Sequence, residues 1–135
     1  MSPVIRSWCL ANGLTVVVED DTRNYYGDYY NVRLTIRCQI GVKPEYLKSS
    51  RNNPLYDRVV ATLGPLAEYR REIVKAGVAG RNLSGVKEYL LQKFEESALP
   101  YFEREVLQER FVRKRFDEIA KELSSREGFD ERERD

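Results

Sequence analysis

The chain contains no histidine. That absence removes the commonest general base and the commonest metal-ligating side chain together, and with them the familiar serine, cysteine and zinc hydrolase mechanisms. Cysteine occurs twice, at Cys9 and Cys38. Each stands alone in a strand-like apolar run, which gives no zinc knuckle, redox pair or disulfide framework. Both are expected as free thiols serving as small hydrophobes, in a reducing, cytoplasmic setting. Gly77, Gly80 and Gly85 have neither the spacing nor the lysine of a phosphate cradle. No uncharged apolar run reaches the roughly 18 residues of a membrane span. The first twenty residues hold no basic leader followed by an apolar core and a cleavage site, so a soluble protein is expected. The formal net charge of +1 supplies no global pull toward nucleic acid or an anionic membrane, and such a partner would need a local patch. With no catalytic, metal or cofactor motif, neither an enzyme nor a bound cofactor is expected.

What is present describes a fold. A chain of 135 residues fits one domain with a real core. From Tyr30 to Ile40, apolar residues alternate with Asn31, Arg33, Thr35, Arg37 and Gln39, the period of a strand with one buried face. Ahead of it, Val4 to Leu10 and Leu14 to Asp20 read as strands joined at Asn12-Gly13, a hairpin signal because both residues tolerate positive φ. The run Leu10 to Val18 locally resembles the opening strand pair of the pitrilysin-like zinc metallopeptidases. That family's zinc site requires two helical histidines, so nothing transfers from the resemblance. Gly27-Asp28, between two pairs of tyrosines, suits a tight turn.

Beyond the strand, Pro44 opens a short helical turn, and Tyr56 to Leu63 fits either a strand or a helix. Leu66, Tyr69, Ile73 and Val74 follow helical spacing toward Gly77, with continuation of the sheet as the competing reading. Ser84 is placed to cap a helix whose apolar positions are Val86, Tyr89, Leu90, Phe94 and Ala98. A last amphipathic helix is expected from Glu105 to Ser124, covering the sheet's apolar face. The expected fold is α+β: a three- to four-stranded antiparallel sheet in the N-terminal half, packed by two to three C-terminal amphipathic helices. One domain over 1–124 and a charged, disordered tail over 125–135 complete it.

Function is read from the surfaces that remain. Glu19, Asp20, Asp21 and Asp28 offer oxygen ligands for a hard cation but fit no calcium-loop pattern, and the preferred reading is a solvated strand end. Arg110, Arg113, Lys114 and Arg115 form a basic run whose interleaved acids favour a solvated helix face over a phosphate-binding stripe. Tyr25, Tyr26 and Tyr29 lead into Arg33 and Arg37 on the wet face of the central strand. These five residues are the candidate partner or ligand surface. Tyrosine-rich surfaces suit protein contact, self-association included, whereas arginines with stacking aromatics suit an anionic ligand such as single-stranded nucleic acid. A non-enzymatic protein-interaction or structural module, with a homodimer as one form of it, is expected first; nucleic-acid or anionic-ligand binding is the alternative.

Overall fold

One antiparallel register organises the sheet. The computed structural model describes residues 2–133, with side chains through Arg126. Strands β1 (Val4–Cys9) and β2 (Thr15–Asp20) form the first hairpin, with Trp8 opposite Val16 and Ser7 opposite Val17. Only Gly13 at its turn has positive φ, at 88°. Asn12 contributes instead through its side chain, whose Oδ1 accepts from Leu14 N at 3.1 Å and whose Nδ2 donates to Phe102 O at 2.8 Å.

The central strand is β4 (Tyr29–Gly41), which pairs with β2 from Val16 opposite Cys38 to Asp20 opposite Leu34. Strand β3 (Arg23–Tyr26) continues the same count along the same edge, with Arg23 opposite Asn31 and Asn24 opposite Tyr30. In effect β2 and β3 are one strand interrupted at Asp21 and Thr22. The interruption keeps register because Asp21 N donates to Arg33 O at 2.8 Å. The other edge of β4 pairs with β5 (Leu66–Ala79).

Strand β5 corrects two expectations. The segment from Leu66 is not a helix, and the sheet has five strands rather than three or four, reaching into the middle of the chain. Leu66, Tyr69, Ile73 and Val74 match helical spacing, but Ala67, Tyr69 and Ile73 also alternate with Glu68, Arg70 and Glu72. Pairing with an existing strand satisfies a backbone edge that a helix would leave open, and tertiary context overrides a weak local preference. Tyr56–Leu63, open in the sequence, is helix α1, closed by Gly64 at φ 74°.

Contacts within the chain group it into two compact units, although the sequence sets no boundary inside 1–124. The sheet unit runs through Gln39 and resumes over Glu68–Glu105; the helical unit comprises Ile40–Ala67 and the chain from Val106. In the sheet unit, α2 (Leu83–Ser97) and the short α3 (Leu99–Phe102) bury Leu91, Phe94, Leu99 and Phe102. Alternation sends Val16, Val18, Val32, Leu34, Ile36 and Cys38 into the same core. Aromatic contacts knit strands to helices: Trp8 to Phe94 with centroids 5.6 Å apart, and Tyr69 edge-on to Phe102 at 4.9 Å.

Helix α2 departs from its expected stripe. It starts at Leu83 after Asn82, no side chain caps it, and Ser84 lies inside the first turn. Leu91 is buried where Tyr89 was expected; Tyr89 faces solvent and carries Lys93 over its ring at 5.4 Å.

In the helical unit, α4 (Glu105–Glu133) begins where its stripe begins and continues past Ser124. The last residues of the tail expected over 125–135, numbers 134 and 135, lie outside the described residues. Val112, Phe116, Ile119 and Ala120 are buried, with Tyr46 and Leu47 from a 3₁₀ turn (Pro44–Ser50) and Val59 and Leu63 from α1. The Tyr56 and Phe116 rings sit 5.8 Å apart. Among the described residues, no helix is long and apolar enough to cross a membrane.

A polar contact also joins α2 to the sheet. Lys87 Nζ lies 2.7 Å from Asp20 Oδ2. Burial would raise the Asp20 carboxyl, but hydrogen bonds from Lys87 and Thr22 outweigh it and hold the group below its ordinary value. A lowered folded value means that the stabilisation is present at neutral pH and lost as pH falls through that value, below the usual aspartate range near about 3.9. Lys87→Met is therefore expected to cost about 1 kcal/mol near neutrality. Thermal melts across pH should show the gap to the parent narrowing as pH falls below about 3.9 and closing only once Asp20 is protonated in both folded proteins.

Candidate functional site

The β3–β4 hairpin ends in four tyrosines around Gly27-Asp28. Gly27 takes φ 56°, which a side chain disfavours, and Tyr26 stands opposite Tyr29 across the turn. Asn24 braces the loop: its Nδ2 donates to Gly27 O at 2.9 Å and to Tyr29 O at 3.3 Å. The register slips between Asn24 and Tyr26. Tyr30 is half-buried, whereas Tyr25, Tyr26 and Tyr29 expose 70%, 78% and 52% of their surface. Among the described residues, three large aromatics in water on one turn are the most conspicuous exposed apolar feature.

The turn is also tied to the sheet. Gly80 N, just after β5, donates to Asp28 O at 2.8 Å. A Cβ on Gly80 would meet the carboxylate of the exposed Asp28 side chain, which would have to swing aside.

The wet face of the sheet is a mesh of alternating charge. Arg37 lies between two carboxylates, its Nε 3.2 Å from Glu19 Oε1 and its Nη1 3.2 Å from Glu68 Oε1. The Nε contact is an ion pair without hydrogen-bond alignment. Thr35, placed by alternation on the wet face, is fully buried and donates to Asp21 Oδ2 at 3.3 Å. The Ser2 hydroxyl also donates to Asp21. That bond, ahead of those from Thr35 and the charges of Arg23 and Arg33, brings the Asp21 carboxyl below its usual value.

Arg33 is exposed and lines a groove of about 360 Å³ with Asp21, Arg23, Asn31, Arg70 and Glu72. Arg70 there pairs with Glu72 at 3.1 Å. The five candidate residues thus divide. Tyr25, Tyr26 and Tyr29 gather at the turn and Arg33 lies in the groove, while Arg37 is engaged by two acids. Arg23 and Arg70 join the groove unforeseen, the second because its segment was read as helical. From Glu68 to Ile73 the sequence carries only a broken alternation, because Arg71 stands on the face of Tyr69 and Ile73.

The acids considered for a cation are dispersed. Glu19 and Asp21 share the wet face, Asp20 points to the helix side at Lys87, and Asp28 closes the turn. The basic run of α4 borders a separate hollow of about 560 Å³ in the helical unit, with Ser49 and Ser50 opposite. Acids are interleaved there: Arg113 reaches Glu109 at 3.7 Å and donates to Ser49 Oγ at 2.6 Å, and Arg115 pairs with Glu118 at 3.2 Å.

Compared with family models, curated proteins and solved structures, the chain finds no match.

Proposed function

We propose that the chain is a non-enzymatic protein-interaction module that presents the tyrosine-bearing turn to a protein partner. The exposure of Tyr25, Tyr26 and Tyr29 on a braced turn carries this reading. Tyrosine combines large contact area with a hydroxyl and few rotatable bonds, so it contributes contact at low entropic cost and is enriched at interfaces. A turn held by Asn24 and Gly80 is also preorganised. The free thiols, Cys9 exposed and Cys38 buried, fit a reducing compartment such as the cytoplasm.

The test is a triple variant, Tyr25→Ser, Tyr26→Ser and Tyr29→Ser. Because all three side chains are exposed, its melting should stay close to the parent's, within about 0.5 kcal/mol per site. Affinity capture from native lysate, with and without nuclease, should recover nuclease-resistant proteins with the parent and lose them with the variant. Identical recovery by both chains would overturn the reading.

A second reading rests on the convergence of Arg23, Arg33 and Arg70 on one groove. An anionic, planar ligand such as single-stranded nucleic acid would pair with these guanidiniums and stack on the neighbouring tyrosines. Such binding must weaken as salt rises and must be lost in Arg33→Glu. Retention in that variant removes the reading.

A further inference from the structure

Strand β5 pairs with β4 along one edge, and among the described residues no strand takes the other. The strand is fourteen residues long and contains no proline. From Arg70 to Gly77 every residue but the half-buried Ile73 is exposed. Open edges are usually kept short, interrupted or covered, because unpaired N–H and C=O groups attract another strand. The opposite edge of the sheet, β1, follows that practice, with six residues and a register slip between Val4 and Arg6.

We propose that β5 is a dimerisation edge, on which two copies of this chain pair antiparallel over Ala67 to Lys75 about a two-fold axis at Arg71.

The sequence of the strand selects this occupant and this register. Residues directly opposite in an antiparallel pair lie on one face of the sheet, and a two-fold axis normal to the sheet preserves faces. Facing residues must therefore be separated by an even number of positions. Centred on Arg71, the register sets Arg70 against the partner's Glu72 twice and Tyr69 against the partner's Ile73 twice. Opposite charges and aromatic with β-branched pairs are the combinations that stabilise cross-strand contacts. The Arg70–Glu72 pair within each chain, 3.1 Å apart, would become half of a four-charge ring.

Neighbouring registers do worse. Centring on Arg70 opposes Glu68 to Glu72, centring on Glu72 sets that acid against itself, and centring on Ile73 opposes Arg71 to Lys75. A register centred on Tyr69 also joins Glu68 to Arg70, but it pairs a shorter stretch and leaves Ile73 outside. Gly77, at φ 67°, breaks the extended run and limits pairing toward the C-terminal end. Arg71 meets its own copy on the axis, which keeps the dimer weak and reversible.

The surface is independent of the tyrosine turn, because β3 and β5 lie on opposite edges of β4. Sedimentation of the full chain up to about 1 mM should show reversible dimerisation by mass action. Arg70→Glu and Glu72→Arg should each weaken it roughly tenfold or more, since each turns both cross-strand pairs into like charges. An equimolar mixture of the two variants should restore association as a heterodimer, and the double variant should match the parent. Arg71→Thr should tighten the dimer, and the triple tyrosine variant should leave it unchanged. Both charge variants alter exposed side chains, and far-UV circular dichroism checks their folding.

A parent that stays monomeric overturns the proposal and leaves Arg71 and Lys75 as charges guarding a solitary edge. Single variants that dimerise like the parent, or a mixture that fails to recover, overturn it as well.

Discussion

Phe116→Ala is expected to destabilise the helical unit by about 3 to 5 kcal/mol. The ring is fully buried, among the largest side chains so enclosed, and it contacts Tyr56 of α1. Removing it forfeits the transfer energy of the ring and leaves a cavity that backbone helices cannot close. At a urea dependence of roughly 1 to 3 kcal/mol per molar, the midpoint of the helical circular dichroism signal should fall by about 1 M or more. Phe116→Leu, which keeps most of the volume, should lose less than half as much. A fall in the alanine variant below about 1 kcal/mol would mean that α4 does not rely on this contact.

Leu34→Ala is the counterpart in the sheet unit, with an expected cost of about 2 to 5 kcal/mol. Leu34 is fully buried on the central strand, opposite Asp20 at the end of the β2 pairing. The measurement is favoured by composition. The chain has one tryptophan, and Trp8 lies in the sheet unit against Phe94. Its fluorescence reports that unit, while the helical signal draws heavily on α4. Leu34→Ala should therefore lower the fluorescence midpoint strongly. A small change there, with a large one in the helical signal, would contradict the packing described.

Legibility in the sequence followed how one-sided each element is. Strand β4 was readable because Val32, Leu34, Ile36, Cys38 and Ile40 form one apolar face without exception. The start of α4 was readable for the same reason, since Phe111, Val112, Phe116, Ile119 and Ala120 keep one stripe. Strand β5 was not, because Arg71 and Lys75 occupy the face of Tyr69 and Ile73 and erase the period of two. In α2 the expected stripe was misdrawn: Leu91, three residues before Phe94, shares its side of the helix, whereas Tyr89, five residues before it, turns to the far side.

The candidate surface was legible only in part. Exposure of the tyrosines follows from a short turn that cannot bury four rings. Pairing of Arg37 with Glu19 on the neighbouring strand was legible from their shared wet face, but its second acid, Glu68, belongs to the strand that was misread, and Thr35 is buried where Asp21 and Ser2 hydrogen-bond over that part of the face. Both outcomes are set by residues distant in sequence, which no local period encodes.

The division of the chain into interleaved units orders events at the ribosome. The sheet unit has all of its residues once Glu105 has been made. At that moment Val59 and Leu63 of α1 and Tyr46 and Leu47 before them have been synthesised, but the helix carrying Val112 and Phe116 has not. Every residue of the sheet core is therefore made before the helix that covers the apolar side chains of the other unit. A chain interrupted between Glu105 and Phe116 would carry all the residues of one core together with an uncovered apolar surface of the other unit, the kind of species that aggregates.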